Sequence, residues 1–154
     1  MKFEETAYEI EQEVGLIEEL ITYHQLLFDK IKITSPDPIE ISATATLLHS
    51  FYNGIENIFK RISKNLDKKS FSSSIWHQDL IQFMTKQTET HPPVISEKLF
   101  TKLLVYLGFR HFFRHAYAFH FKWEKIEPLI KNLKPVFNEF KDEINEFKEK
   151  LPKN

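Results

Sequence analysis

The sequence predicts an all-α fold, a bundle of about five helices forming one domain over 1–154. Three observations carry this. Only three of the 154 residues are glycine, and long stretches mix charged with apolar residues, which suits helices better than a loop-rich β fold. Apolar residues recur in steps of three and four along most of the chain, the period of a helix with one buried face. Residues that start or stop helices stand between those stretches, and no segment reads as a credible strand. At this length, with 42% hydrophobic residues, the chain can bury a substantial core.

The first helix is expected over 3–32. Phe3, Ala7, Ile10, Val14, Ile17, Ile21, His24, Phe28 and Ile31 keep a spacing of about 3.5 residues, the pattern of lengthwise packing in a bundle or coiled coil. His24 falls on that seam and reads as a satisfied core or interface histidine. The segment Thr34-Ser-Pro-Asp-Pro38 then breaks the chain. Asp37 suits an N-cap, Pro38 the first helical position, and Glu40 the acid of a capping box. A second helix follows over 38–66, with Leu48, Phe51, Tyr52, Ile55, Ile58, Phe59 and Ile62 as its apolar face; His49 beside that face reads as structural. After a polar loop, a short helix over 74–87 carries Trp76, Leu80, Ile81 and Met84, with Trp76 and His77 read as scaffold. Pro92-Pro93 cannot continue a helix, and Ser96 caps a fourth, over 96–117. The last helix runs over 123–149 on a stripe of Phe137, Phe140, Ile144 and Phe147, with Pro128 near its first turn.

Composition also excludes functions. The chain has no cysteine, so disulfides and thiolate metal sites are out. Its acidic, amphipathic start is the opposite of a secretory signal, and no apolar run approaches the roughly 20 residues of a membrane span. A soluble, cytoplasmic protein with no membrane contact is expected. The net charge of −1 gives no strong non-specific pull on nucleic acid. It conceals an asymmetry, however. Residues 4–19 hold seven glutamates and no base, whereas 98–123 hold Lys98, Lys102, Arg110, Arg114, Lys122 and three histidines with no acid. The glutamate run reads as a solvated face or as a dock for a basic partner; the basic run permits a specific anion site.

The basic run peaks in Gly108-Phe-Arg-His-Phe-Phe-Arg-His-Ala-Tyr117. On a straight helix Arg110 shares a face with Leu103, Tyr106, Phe113, Arg114 and Tyr117, and His111 with Leu104, Gly108 and His115. Arg110 and His115 stand about 140° apart. To meet one ligand they need a helix end or bend near His115, or a second copy across a twofold axis; Gly108 would let another helix approach closely. The chemistry that suits this set is metal-independent cleavage of an RNA phosphodiester. Histidine can take the ribose 2′-OH proton or return one to the leaving 5′-oxygen, and arginine's planar fork meets charge gathering on the phosphoryl oxygens. Two other readings use the same residues. His111 and His115, at i and i+4, could share a metal, but no acid or cysteine follows to complete a site, so neither metal nor cofactor is expected. The cluster could also be a basic helix end, with arginines capping carbonyls and histidines bonded in the core.

The pattern Arg110-x4-His115-x-Tyr117 resembles the Arg-x4-His-x-Tyr motif of HEPN-type toxins, and specifically of the HepT toxins of HepT–MntA toxin–antitoxin systems. The run FRHFFRHAYAFHFKWEKIEPLI (109–130) resembles the motif helix and following turn of a HepT-like subfamily, as do LLHSFYNGIENIFKRI (47–62), WHQDL (76–80) and PPVIS (92–96). The similarity covers roughly 45–150. It implies a HEPN-like helical bundle acting as a homodimer, and an endoribonuclease with Arg110 and His115 as the active pair. It implies a cognate nucleotidyltransferase antitoxin, MntA-like, that transfers AMP to a motif tyrosine, here Tyr117; an aromatic packed against the last helix is the alternative for that residue. His111 and Arg114 fill the variable positions and are candidates for further phosphate contacts. A non-catalytic helical protein that dimerises and binds a nucleotidyltransferase remains the alternative function.

Overall fold

The structure, a computed structural model, describes residues 2–153. Six α-helices and one 3-10 turn make up its regular structure, with no strand among the described residues: α1 Lys2–Tyr23, α2 Gln25–Ile31, α3 Pro38–Leu66, α4 Trp76–Phe83, α5 Glu97–His115, a turn Ala118–His120, and α6 Trp123–Lys150. This is the all-α bundle expected, with the first predicted helix divided in two.

The division has a local cause. In an unbroken helix the Leu20 carbonyl would accept from the His24 amide. Instead it meets the His24 ring nitrogen Nδ1 at 2.8 Å, and the His24 amide turns back to the Ile21 carbonyl at 3.1 Å. A side chain has displaced one rung of the backbone ladder, and the axis breaks there. The ring is satisfied, as its seam position suggested.

Helix α3 is the centre of the bundle and packs against α1, α4, α5 and α6. Phe51, Tyr52, Ile55, Ile58, Phe59 and Ile62 are fully buried along it. Its start is the capping box anticipated: Asp37 accepts from the Glu40 amide at 2.8 Å and the Asp37 amide donates to Glu40 at 2.9 Å. Ser96 caps α5 by accepting from the Leu99 amide at 3.1 Å, and its own amide and hydroxyl donate to Glu143 of α6. Buried His91 ties the two long loops together, Nε2 to Asp67 at 2.7 Å and Nδ1 to the Pro92 carbonyl at 2.7 Å. Helix α6 contains Pro128 and Pro135 and buries Phe137, Phe140, Ile144 and Phe147 against the core.

The α1–α3 crossing depends on Gly54. A Cβ there would lie 2.6 Å from Cγ1 of Ile17, itself 2% exposed. Gly54→Ala is therefore expected to cost about 1–3 kcal/mol by overpacking, measured as a lower urea midpoint with an unchanged slope.

Candidate functional site

Helix α5 carries the basic cluster and ends at His115. Ala116 is extended, at φ −105° and ψ 148°, so the helix stops two residues earlier than the spacing alone suggests. The chain turns back through Ala118–His120 because Phe121 stacks on Phe113 (centroids 5.6 Å apart) and packs near Phe109 and Phe112. The break before Tyr117 that a shared site would require is present. It does not bring Arg110 and His115 together.

Arg110 turns inward, half-buried. Its Nε donates to Asn53 Oδ1 at 2.9 Å and its Nη1 faces His77 Nε2 at 3.4 Å. The opposite ring nitrogen of His77, Nδ1, lies 2.7 Å from the Glu56 carboxylate, and Glu56 is 3% exposed. Glu56 can only accept and Arg110 can only donate. His77 therefore carries its hydrogen on Nδ1 and offers the Nε2 lone pair to Arg110. The same logic runs the other way through Asn53. With its oxygen taken by Arg110, its amide Nδ2 donates to His49 Nε2, 3.1 Å away, which leaves the hydrogen of His49 on Nδ1, buried without a partner among the described residues. His49 also stacks on Phe113, centroids 4.4 Å apart. The Tyr52 hydroxyl is likewise buried and unpartnered, and burial, with Glu56 nearby, holds its phenol well above the ordinary tyrosine range.

The other side chains of the cluster face outward. His111, Arg114 and His115 are exposed, and none has an acidic partner among the described residues. The rings of His111 and His115 lie 4.8 Å apart. Tyr117 is 71% exposed and stacks on Phe119, centroids 5.5 Å apart, rather than packing under the last helix. Val105, Gly108, Phe112 and His115 lie along one exposed stripe of α5, and beyond the helix's own backbone nothing among the described residues comes within 4 Å of where a Gly108 Cβ would stand.

Arg110, His111, Arg114, His115 and Tyr117 are legible in the sequence, whereas the groups that hold Arg110 are not. His77, expected as scaffold, and His49, expected as structural, both belong to the network around Arg110. A signal existed. His49, Asn53 and Glu56 recur at four and three residues along α3, a polar stripe beside its apolar face, and a carboxylate in such a place needs a partner.

An all-helical bundle whose motif helix ends in a basic, acid-free run, with its half-buried arginine held from two other helices, is the class of protein that the fold and site define. Residues 43–151 match the model of a family described as HepT-like protein. The chain belongs to that family, in the HEPN superfamily, whose members are generally nucleases of toxin–antitoxin systems. No curated protein and no solved structure matches. No helix among the described residues is long and apolar enough to cross a membrane.

Desolvation, then repulsion from Arg110 and Arg114, holds the His49 imidazole below its ordinary pKa. Its unfolded counterpart takes up a proton first as pH falls, so stability drops below about pH 6.5 and levels off once folded His49 also titrates. His49→Phe, which keeps the stack on Phe113, should lose stability less steeply than wild type across that window, as read by urea unfolding at a series of pH values.

Proposed function

We propose that the chain is the toxin of a toxin–antitoxin pair, a metal-independent endoribonuclease whose site is completed by a second copy. The observation that carries this is the division of labour on α5. Arg110 is held by Asn53 and His77 on the inner side, while His115 stands free on the outer stripe with Gly108 and Phe112. A second α5 laid along that stripe would cover Val105 and Phe112, 56% and 43% exposed, and bring its own basic end alongside. Two such ends gather two arginines and two histidines with no carboxylate among them.

In that cleft one histidine takes the 2′-OH proton as the oxygen attacks phosphorus, and another protonates the leaving 5′-oxygen. Arg110 pairs with the phosphoryl oxygens as their charge rises, pre-aimed because Asn53 and the Glu56–His77 pair fix its guanidinium. Arg114 and His111 supply further contacts to phosphate. The partner is a nucleotidyltransferase of the MntA kind, and Tyr117 is its target. The phenol is accessible, and an added AMP would set a phosphate among Arg114, His111 and His115 and exclude RNA from them. The place of action is the cytoplasm.

A second reading rests on a specific observation: within one chain Arg110 is engaged and His115 faces away, so a single chain holds no catalytic pair. On that reading the helix is a dimer and partner surface only, with the acidic α1 docking a basic nucleotidyltransferase.

Purified protein should cut RNA with EDTA present. Arg110→Ala and His115→Ala should each slow cleavage by about 10² or more and relieve growth inhibition; full activity in both would sink the assignment. Mixing the two variants tests the shared site. Subunit exchange makes half the dimers mixed, each cleft then holding one Arg110 and one His115 from different chains, so activity should rise above that of either variant alone while staying well below wild type. A site contained within one chain would recover none.

Co-expression with the nucleotidyltransferase should add one AMP mass to the chain, mapped to Tyr117 by peptide mass spectrometry and absent in Tyr117→Phe. An increment on another residue refutes the placement.

A further inference from the structure

The polar stripe of α3 does not end at Glu56. It continues at the same spacing to Lys60 and Lys64. Glu56 Oε1 is 4.0 Å from Lys60, and Lys60 in turn lies over the Trp76 ring, 4.9 Å from its centroid. Trp76 stacks on His77, centroids 3.6 Å apart. A continuous edge therefore leads from Arg110 across His77 and Trp76 to a second basic place. There the end of α3, the loop after it and α4 enclose a cavity of about 230 Å³, walled by Lys60, Lys64, Lys69, Ser63, Phe71 and Trp76.

The lysines are presented rather than loose. Lys69 Nζ sits 5.2 Å from the Phe71 centroid and 4.8 Å from that of Phe83. Its backbone is pinned on both sides: the Lys69 amide donates to the Ser63 carbonyl at 3.0 Å, and the Ser63 hydroxyl donates to the Lys69 carbonyl at 2.6 Å. The Asp67–His91 pair anchors the same loop from behind. Lys64 and Lys69 have no carboxylate within 4.0 Å among the described residues. Next to them Lys68 adopts φ 52°, a left-handed conformation that glycine or asparagine takes more readily after a helix. Lys68 also crowds Lys2, whose pKa is held below the ordinary lysine value chiefly by that contact. Lys60 shares Glu56, but Lys64, Lys68 and Lys69 add positive charge that no carboxylate within 4.0 Å among the described residues offsets, a local potential that an anion would relieve.

We propose that this pocket is a phosphate subsite for single-stranded RNA, taking a backbone phosphate of the strand whose scissile bond lies at Arg110. That assignment of the strand rests on the ribonuclease reading. The aromatic walls suit it, because Phe71 and Trp76 flank the lysines as ring and charge alternate in single-strand channels. Distance gives the subsite a signature. Asn53, which holds Arg110, and Lys64 are eleven residues apart on one helix, about 16 Å along its axis, which a dinucleotide does not span. The pocket would therefore serve longer RNA and be irrelevant to the shortest substrate.

The test uses Lys64→Ala/Lys69→Ala in the full chain; both residues are exposed, and an unchanged thermal transition confirms the fold. Binding of a labelled 12-nucleotide RNA should weaken on the order of tenfold, and the slope of log K against log salt should fall by about 0.7, the loss of one phosphate contact to a single strand. Lys64→Arg/Lys69→Arg should restore both. Dinucleotide cleavage should stay at the wild-type rate while cleavage of the 12-mer slows. An unchanged affinity and salt slope overturns the subsite. So does lysine-dependent binding of AMP or inorganic phosphate without any effect on RNA, which would make the pocket a free-nucleotide site. Wild-type protein that binds RNA through these lysines but never cuts it sinks the ribonuclease reading and leaves the subsite standing.

Discussion

Helix α3 must run through the middle of the bundle while carrying polar groups on one edge. His49, Asn53 and Glu56 share that edge, and Glu56 is almost wholly buried. An unpaired carboxylate in such a place would cost several kcal/mol or give up its charge. Its needs are met from two other helices. His77 comes from α4 to hold Glu56, and Arg110 comes from α5 to reach both His77 and Asn53. The packing of three helices around one edge and the posture of the arginine are thus the same fact.

Once Arg110 is committed inward, the rest of the helix end follows from the α-helical period. Residues on the opposite side, Gly108, His111, Phe112 and His115, must face out. They do so as a mixed stripe of rings and a glycine whose Cβ position meets nothing beyond its own helix backbone within 4 Å among the described residues. The extended backbone at Ala116 and the return of Phe121 onto Phe109, Phe112 and Phe113 then throw Tyr117 clear of the core. The phenylalanines around the cluster are its mount: they fold the chain back under the helix end and leave the basic tips in solvent. The same edge of α3, followed in the other direction, reaches Lys60 and Lys64, so one helix connects the arginine network to the second basic pocket.

How far local pattern predicts local structure varies along the chain for physical reasons. The capping box at Asp37 and the cap at Ser96 were legible because both depend on residues within three positions. The division of the first helix at His24 was not legible, because apolar spacing is blind to a ring nitrogen taking a carbonyl from the ladder, as His24 does at Leu20. The helix expected to reach 117 ends at His115, because aromatic packing from beyond its end, by Phe121, decides where the backbone turns.

The sequence by itself determined the all-helical class, the order of the helices, the apolar faces of α3 and α6, and the residues Arg110, His115 and Tyr117 as a motif. Period, caps and motif spacing are properties of neighbours in the chain. Only the tertiary structure decided that Arg110 is held by Asn53 and a Glu56–His77 pair, that His115 faces the other way, and that three lysines close around Trp76 and Phe71. Those partners lie 21 to 57 residues apart in the chain where hydrogen bonds join them. No helical period links α3 to α4 or α5; the need to satisfy a buried carboxylate does.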